Sequence, residues 1–277
     1  MKTPRHVLMT GMVAALCCSA SAQIIYSNAF NGGAVDINSQ APTYVNPNAS
    51  LFGGSSGALW DVVTNNPGGG VYLANQNGTL GSGSESVLLP FAPQSGYIYT
   101  MSASLTFAIQ PPGSGWGALG FGGNFPPSNG STSDPRFNQA LVSGQPWALL
   151  NYQAQGGGAV LFRSTSASVG GHAGLMSSLN TPYTIDFVLD TTAAHWSTAL
   201  YIDSTLVTNY TWTASNPTIR SIGYGQTATT AGAYQWNYLT LDAEAVPEPA
   251  TPALIGVGLA VMFFVRFYRS RRQKIIW

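Results

Sequence analysis

Residues 97–107, YIYTMSASLTF, alternate without a break. Tyr97, Tyr99, Met101, Ala103, Leu105 and Phe107 fall on one side of an extended chain; Ile98, Thr100, Ser102, Ser104 and Thr106 fall on the other. A period of two, rich in aromatic and β-branched residues, predicts a strand with one buried face. A strand of that kind needs hydrogen-bonded neighbours and a second apolar layer over its buried side.

The pattern recurs. In residues 183–190, Ile185, Phe187 and Leu189 alternate with Thr184, Asp186 and Val188. Residues 197–202 and 205–212 read as two strands joined by Asp203-Ser204. A two-residue connection containing Asp suits a tight hairpin, because Asp tolerates positive φ. Further strands are predicted at residues 24–30, 59–64, 71–74, 87–91, 118–121, 147–153, 159–163, 218–224 and 234–243. No amphipathic helix of useful length and no repeat of fixed period stands out between residues 23 and 245. Short strands between Gly, Pro, Asn and Ser segments predict a sandwich or barrel. Two long loops are predicted, residues 110–135 and 164–181.

From residue 23 to residue 244 the sequence resembles the concanavalin A-like jelly roll in its LamG-like form. The resemblance rests on Tyr99-Thr100-Met101-Ser102-Ala103 as a central strand. It rests also on Leu200-Tyr201-Ile202-Asp203-Ser204-Thr205-Leu206-Val207, a hairpin often written Y-x-D-G-x-x-V. Ser204 stands where that family usually has Gly. The resemblance implies an all-β fold, a two-sheet antiparallel jelly-roll sandwich, over residues 23–245.

The ends carry addresses. Lys2, Arg5 and His6 form a basic start, residues 7–18 an apolar stretch, and Ala20-Ser21-Ala22 a small-x-small cleavage site. Residues 1–22 are therefore expected to be a signal peptide, cut after Ala22 to leave Gln23 first. Both cysteines, Cys17 and Cys18, fall inside it, so residues 23–245 hold no thiol for a disulfide, a nucleophile or a metal site. The same residues carry three arginines (Arg136, Arg163, Arg220), nine carboxylates and no lysine, a formal charge of −6. That balance argues against nucleic acid as a partner, which demands clustered Lys and Arg.

Near the other end, residues 246–274 have three parts in order. Pro247-Glu248-Pro249 comes first, an uncharged apolar run over residues 250–265 second, and Arg266, Arg269, Arg271, Arg272 and Lys274 third. A bilayer core takes about 20 apolar residues. Phe267 and Tyr268 extend the run if Arg266 reaches back to the headgroups, so a membrane helix over about residues 250–268 is expected. The tail resembles the PEP-CTERM protein-sorting signal, with Pro247, Glu248 and Pro249 as its name-giving triplet and Arg266 as its first Arg after the helix. The resemblance implies passage through the inner membrane, transient anchoring, processing by an exosortase-like enzyme, and delivery to the cell surface or the extracellular exopolysaccharide. An ordinary membrane anchor is the other reading of the tail.

Catalytic patterns are sparse. Glycosidases resembling this fold usually carry Glu-x-Asp-x-x-Glu on one strand, which has no counterpart here. Asp186 and Asp190 share a strand face, read as the solvent face. Gly53-Gly54-Ser55-Ser56-Gly57 has the letters of a nucleophile elbow, but a β-like segment follows where a helix is needed, so it reads as a loop. No spacing supports a metal site, and no cofactor is expected. Trp116, in Gly113-Ser114-Gly115-Trp116-Gly117, admits two readings. It is a stacking platform for a glycan, helped by Asn124, Asn129 and Asp134, or it packs locally. The chain thus reads as an exported surface or matrix protein, a structural or glycan-contacting module without catalysis. The alternative is a secreted polysaccharide hydrolase or lyase.

Overall fold

In the computed structural model, the described residues are 21–30, 35–64, 73–74, 83–109, 115–126, 136–139, 141–152, 158–228, 233–246, 262 and 266. Ala22–Val246 form one compact unit. Its strands in chain order are β1 (Gln23–Asn28), β2 (Val35–Asp36), β3 (Tyr44–Val45), β4 (Asp61–Thr64), β5 (Leu73–Ala74), β6 (Gly83–Pro90), β7 (Tyr97–Phe107) and β8 (Trp116–Gly122). They continue as β9 (Gly144–Asn151), β10 (Gly158–Phe162), β11 (Ser168–Ala173), β12 (Pro182–Asp190), β13 (Ser197–Ile202), β14 (Thr205–Thr211), β15 (Ser221–Ala228) and β16 (Tyr234–Ala245). One 3-10 turn, Ala49–Phe52, lies between β3 and β4.

The strands build two seven-stranded sheets and a small two-stranded one, β2-β5. The first sheet has the order β14-β13-β12-β7-β16-β1-β3, the second β11-β10-β9-β8-β15-β6-β4. Every pairing is antiparallel. The all-β two-sheet antiparallel sandwich expected from the sequence is what the chain forms.

The alternation of β7 decides its layer. Tyr99, Met101, Ala103, Leu105 and Phe107 are fully buried, and Tyr97 is half-buried at the strand's start. From β12, Ile185, Phe187 and Leu189 join them. The second sheet answers with Leu119, Phe121, Ala148, Leu150, Ile222 and Tyr224. Rings cross the gap: Phe121 and Phe187 have centroids 5.7 Å apart, Phe91 and Tyr99 5.0 Å, and Tyr224 and Trp236 5.2 Å. Burial pushes the hydroxyls of Tyr26 and Tyr99 up to about 12 and raises those of Tyr224 and Tyr234 as well.

The outer face of the second sheet carries its own apolar cluster. Leu88, Ala118 and Trp147 from the sheet are covered by Phe137 and Val142 of the β8–β9 connection. Gly120 makes room for it: a Cβ there would lie 2.5 Å from the Trp147 Cα and Cβ.

The sequence expectations need correction in places. The predicted 110–135 loop is interrupted by all of β8, whose residues 116–122 pair with β15 and whose residues 117–120 and 122 pair also with β9. The predicted 164–181 loop contains β11, paired to β10. The strand expected at 218–224 runs from Ser221 to Ala228. Among the described residues no helix is long and apolar enough to cross a membrane. The expected 250–268 span lies outside the described residues except for Met262 and Arg266, both helical and exposed.

Candidate functional site

Trp116 is the first residue of β8, where it pairs with Thr227 of β15. The ladder turns a Gly-flanked residue into a strand residue, which corrects the loop placement. Its ring is half-buried, 5.6 Å from that of Trp147. Trp147 in turn stacks on Phe162 at 4.4 Å and 10° and faces Phe137 at 6.2 Å. Asn124 is exposed, and its side-chain amide donates to the Leu141 carbonyl at 3.0 Å. Asn129 and Asp134 lie outside the described residues, so their company with Trp116 has no geometry to report.

Asp186 and Asp190 are engaged locally. Asp186 accepts the Ser102 hydroxyl at 2.6 Å, and Asp190 accepts both the amide and the hydroxyl of Thr192. Both sit on the half-exposed side of β12, opposite Ile185, Phe187 and Leu189, as their alternation requires. Gly53 closes the 3-10 turn with φ of 83°, and the Ser55 amide is bound by the Tyr26 hydroxyl. Ser55 lines a depression with Gly53, Gly54, Pro90, Phe91, Ala92, Phe125 and Arg220, a set without histidine or carboxylate. The two histidines among the described residues are exposed on different sheets' elements, His172 on β11 and His195 in the β12–β13 turn. Among the described residues no group of three or more His, Cys, Asp or Glu side chains is placed to hold a metal ion.

Among the described residues, one cleft was missed by sequence reasoning. It has a volume of about 410 Å³ and is lined by Gln145, Arg163, Ser164, Tyr210, Trp212 and residues 213–218. Gln145 and Arg163 come from the second sheet and the segment after β10. Tyr210 and residues 212–218 come from β14 and the segment after it. Arg163 Nη1 donates to the Tyr210 hydroxyl at 2.8 Å, and its guanidinium carbon stands 5.5 Å from the centre of the Tyr210 ring. The walls are fastened. The Trp147 indole N–H donates to the Ser164 carbonyl at 3.1 Å. On the opposite wall, the Asn216 side chain accepts the Trp196 amide at 2.9 Å and donates to the Ala194 carbonyl at 3.0 Å. Arg163 and Tyr210 are 47 positions apart in the chain.

At the chain's ends, Ala22 is exposed and Gln23 opens β1 with an exposed side chain. Ala20, Pro247, Glu248 and Pro249 lie outside the described residues, and Arg266 is exposed.

No curated protein matches the chain. Among solved structures, the carbohydrate recognition domain of Emp47p superimposes with a TM-score of 0.48 at 11% identity, over 79% of this chain and 96% of that one. A protein of unknown function with a galectin-like fold from Bacillus subtilis gives 0.48 at 13%, over 80% and 97%. A Trypanosoma rangeli sialidase gives 0.42 at 13%, over 65% of this chain and 29% of that one. Likenesses of this size bear on neither ligand nor activity. The sequence comparison is specific: residues 245–272 match the family described as the PEP-CTERM protein-sorting motif. Such a motif indicates export and transient anchoring in the membrane before processing by an exosortase. The chain therefore carries a PEP-CTERM protein-sorting motif, which begins at the last residue of strand β16.

Proposed function

We propose that this protein is an exported, exosortase-sorted component of the cell surface or extracellular matrix. Its β-sandwich serves there as a structural and glycan-contacting module, without catalysis. The observation that carries the reading is the junction at Ala245, where the final core strand ends and the sorting motif begins. The tail presents this one sandwich to the sorting machinery, so what is delivered is the sandwich.

Residues 1–22 would be removed on export, and the tail after Pro247-Glu248-Pro249 would be removed on sorting. The non-catalytic half of the reading is supported by Asp186 and Asp190, whose carboxylates are taken up by Ser102 and Thr192. The region of Trp116, Asn124, Asn129 and Asp134 is one place for glycan contact, although the Trp116 ring is already engaged with Trp147.

The test is made in the producing cells. With the exosortase present, mass spectrometry of the surface form should find Gln23 at its start and no residues from the apolar tail. With the exosortase gene deleted, the chain should accumulate in the membrane fraction. A surface form that retains Trp277 would leave a plain anchor in place of sorting. Reducing-sugar release from polysaccharide by the wild-type protein would replace the module with a hydrolase.

A further inference from the structure

The cleft between the β10 end and the β14 end is lined by a single charged residue, Arg163; the other lining side chains are amides, hydroxyls, rings, Ala214 and Pro217. A guanidinium has five N–H donors. One is used by the Tyr210 hydroxyl, and among the described residues no carboxylate pairs with Arg163. Arg163 is exposed, so its remaining donors are open to a ligand in a domain where carboxylates outnumber bases nine to three.

The side chain is also already placed. The Tyr210 hydroxyl holds one nitrogen, and the Tyr210 ring lies beneath the guanidinium. Binding through a side chain held in this way loses less rotamer freedom than binding through a free surface arginine. Both walls are held too, Ser164 by the Trp147 indole and residue 216 by its two backbone partners.

We propose that this cleft binds the carboxylate groups of an acidic polysaccharide, with Arg163 as the charged contact held by Tyr210. The inference rests on the reading of the sandwich as a glycan-contacting module and names the class of glycan. A planar guanidinium matches a carboxylate with two parallel N–H···O bonds. The polar groups nearby, Gln145, Ser164, Thr213, Ser215 and Thr218, are of the kind that bond sugar hydroxyls. The open cleft suits a chain passing along it better than an enclosed small anion. At a formal −6 over residues 23–245, the domain has no general attraction for a polyanion. Binding to one must therefore come from a local site.

The experiment uses the full chain in mild detergent and measures affinity for polygalacturonate and for its methyl ester, the same sugar chain with its charge removed. Polygalacturonate should bind at least about tenfold more tightly than the ester, and Arg163→Gln should remove most of that difference, because charge-assisted pairs are the strong ones. Arg163→Lys should restore only part of it, since an ammonium lacks the planar fork. Tyr210→Phe should weaken binding several-fold by freeing the guanidinium, and Arg220→Gln, an exposed arginine elsewhere, should have no effect. Melting temperatures are read for each variant. If Arg163→Gln proves unstable, the ester comparison and Tyr210→Phe decide.

Equal affinity for acid and ester, or equal losses in the Arg163 and Arg220 variants, would overturn the assignment. Tight binding to neutral polysaccharide with no dependence on Arg163 would overturn the cleft and leave the glycan-contacting reading standing. No binding to any polysaccharide would remove that reading as well. Arg163-dependent binding to polyglutamate but not to polygalacturonate would make the ligand an acidic peptide, contrary to the proposal.

Discussion

Asp203 and Thr184 hold each other from both sides. The Thr184 amide donates to Asp203 Oδ1 at 2.9 Å, and the Asp203 amide donates to the Thr184 carbonyl at 2.8 Å. The tip of the β13–β14 hairpin is thereby fastened to β12. Asp203 and Ser204 have φ of 47° and 64°, the left-handed values of a two-residue turn whose twist matches its strands. Asp at the first position supplies both the tolerance for positive φ and the side-chain acceptor.

Ser204 pays a backbone penalty that glycine would not. Ser204→Gly is expected to stabilise the sandwich by up to about 1 kcal/mol, since left-handed φ disfavours a Cβ. Asp203→Ala should destabilise it by about 1 kcal/mol through loss of the Thr184 bond. Urea denaturation of the two variants measures both, and opposite signs are expected.

Leu105 is fully buried and pairs with Tyr183 on one side and Trp236 on the other. Leu105→Ala should cost about 2–5 kcal/mol, the range for a large side chain removed from a core that cannot collapse onto the gap. Leu105→Asp should cost more, because a carboxylate there has no partner. An unchanged denaturation midpoint in either variant would contradict the layer assignment of β7.

Trp116→Ala separates packing from binding. The ring lies against Trp147, so its removal should lower the unfolding free energy by an amount typical of a partly buried aromatic, roughly 1–3 kcal/mol, read by urea denaturation. Retained stability with lost binding to the host's exopolysaccharide would instead place a glycan on that ring.

Asp242 gives a pH dependence with a definite sign. It is half-buried on β16, between Thr100 of β7 and Ile24 of β1, and burial raises its carboxyl above the usual value of 3.8. The folded chain thus holds this proton more tightly than the unfolded chain. The contribution is fully present below the unfolded value and is lost as pH rises through the raised folded value. Asp242→Asn should therefore raise the melting temperature at pH 7 and change it little at pH 3. Thermal melts at the two pH values check this, and a variant less stable at pH 7 would refute it.

What was readable in the sequence follows from how much of each strand is half-buried. In β7 and β12 one face is core and the other solvent, and the alternation says so directly. In β11, SVGGHA, no residue is fully buried, so an edge strand looked like a loop. In β15 the outer positions Gly223 and Gly225 lie against β6, where a Cβ would meet the Val87 and Glu85 carbonyls at 1.9 and 2.5 Å. The predicted 218–224 strand took in Gly223 but stopped short of Gly225. The sorting tail was legible because all its parts are contiguous. The Arg163 cleft was not, because its two halves come from different sheets and neither segment carries a motif of its own.

The place of β16 in its sheet has a mechanical consequence. It is hydrogen-bonded along its length to β7 on one side and along its far end to β1 on the other, and the sorting motif starts where it stops. A force applied at Ala245 along the strand axis would be met by both neighbours. Such a force would shear two antiparallel ladders together, instead of peeling one edge strand bond by bond. An attachment made at Ala245 would therefore hold the sandwich by an interior strand of its sheet.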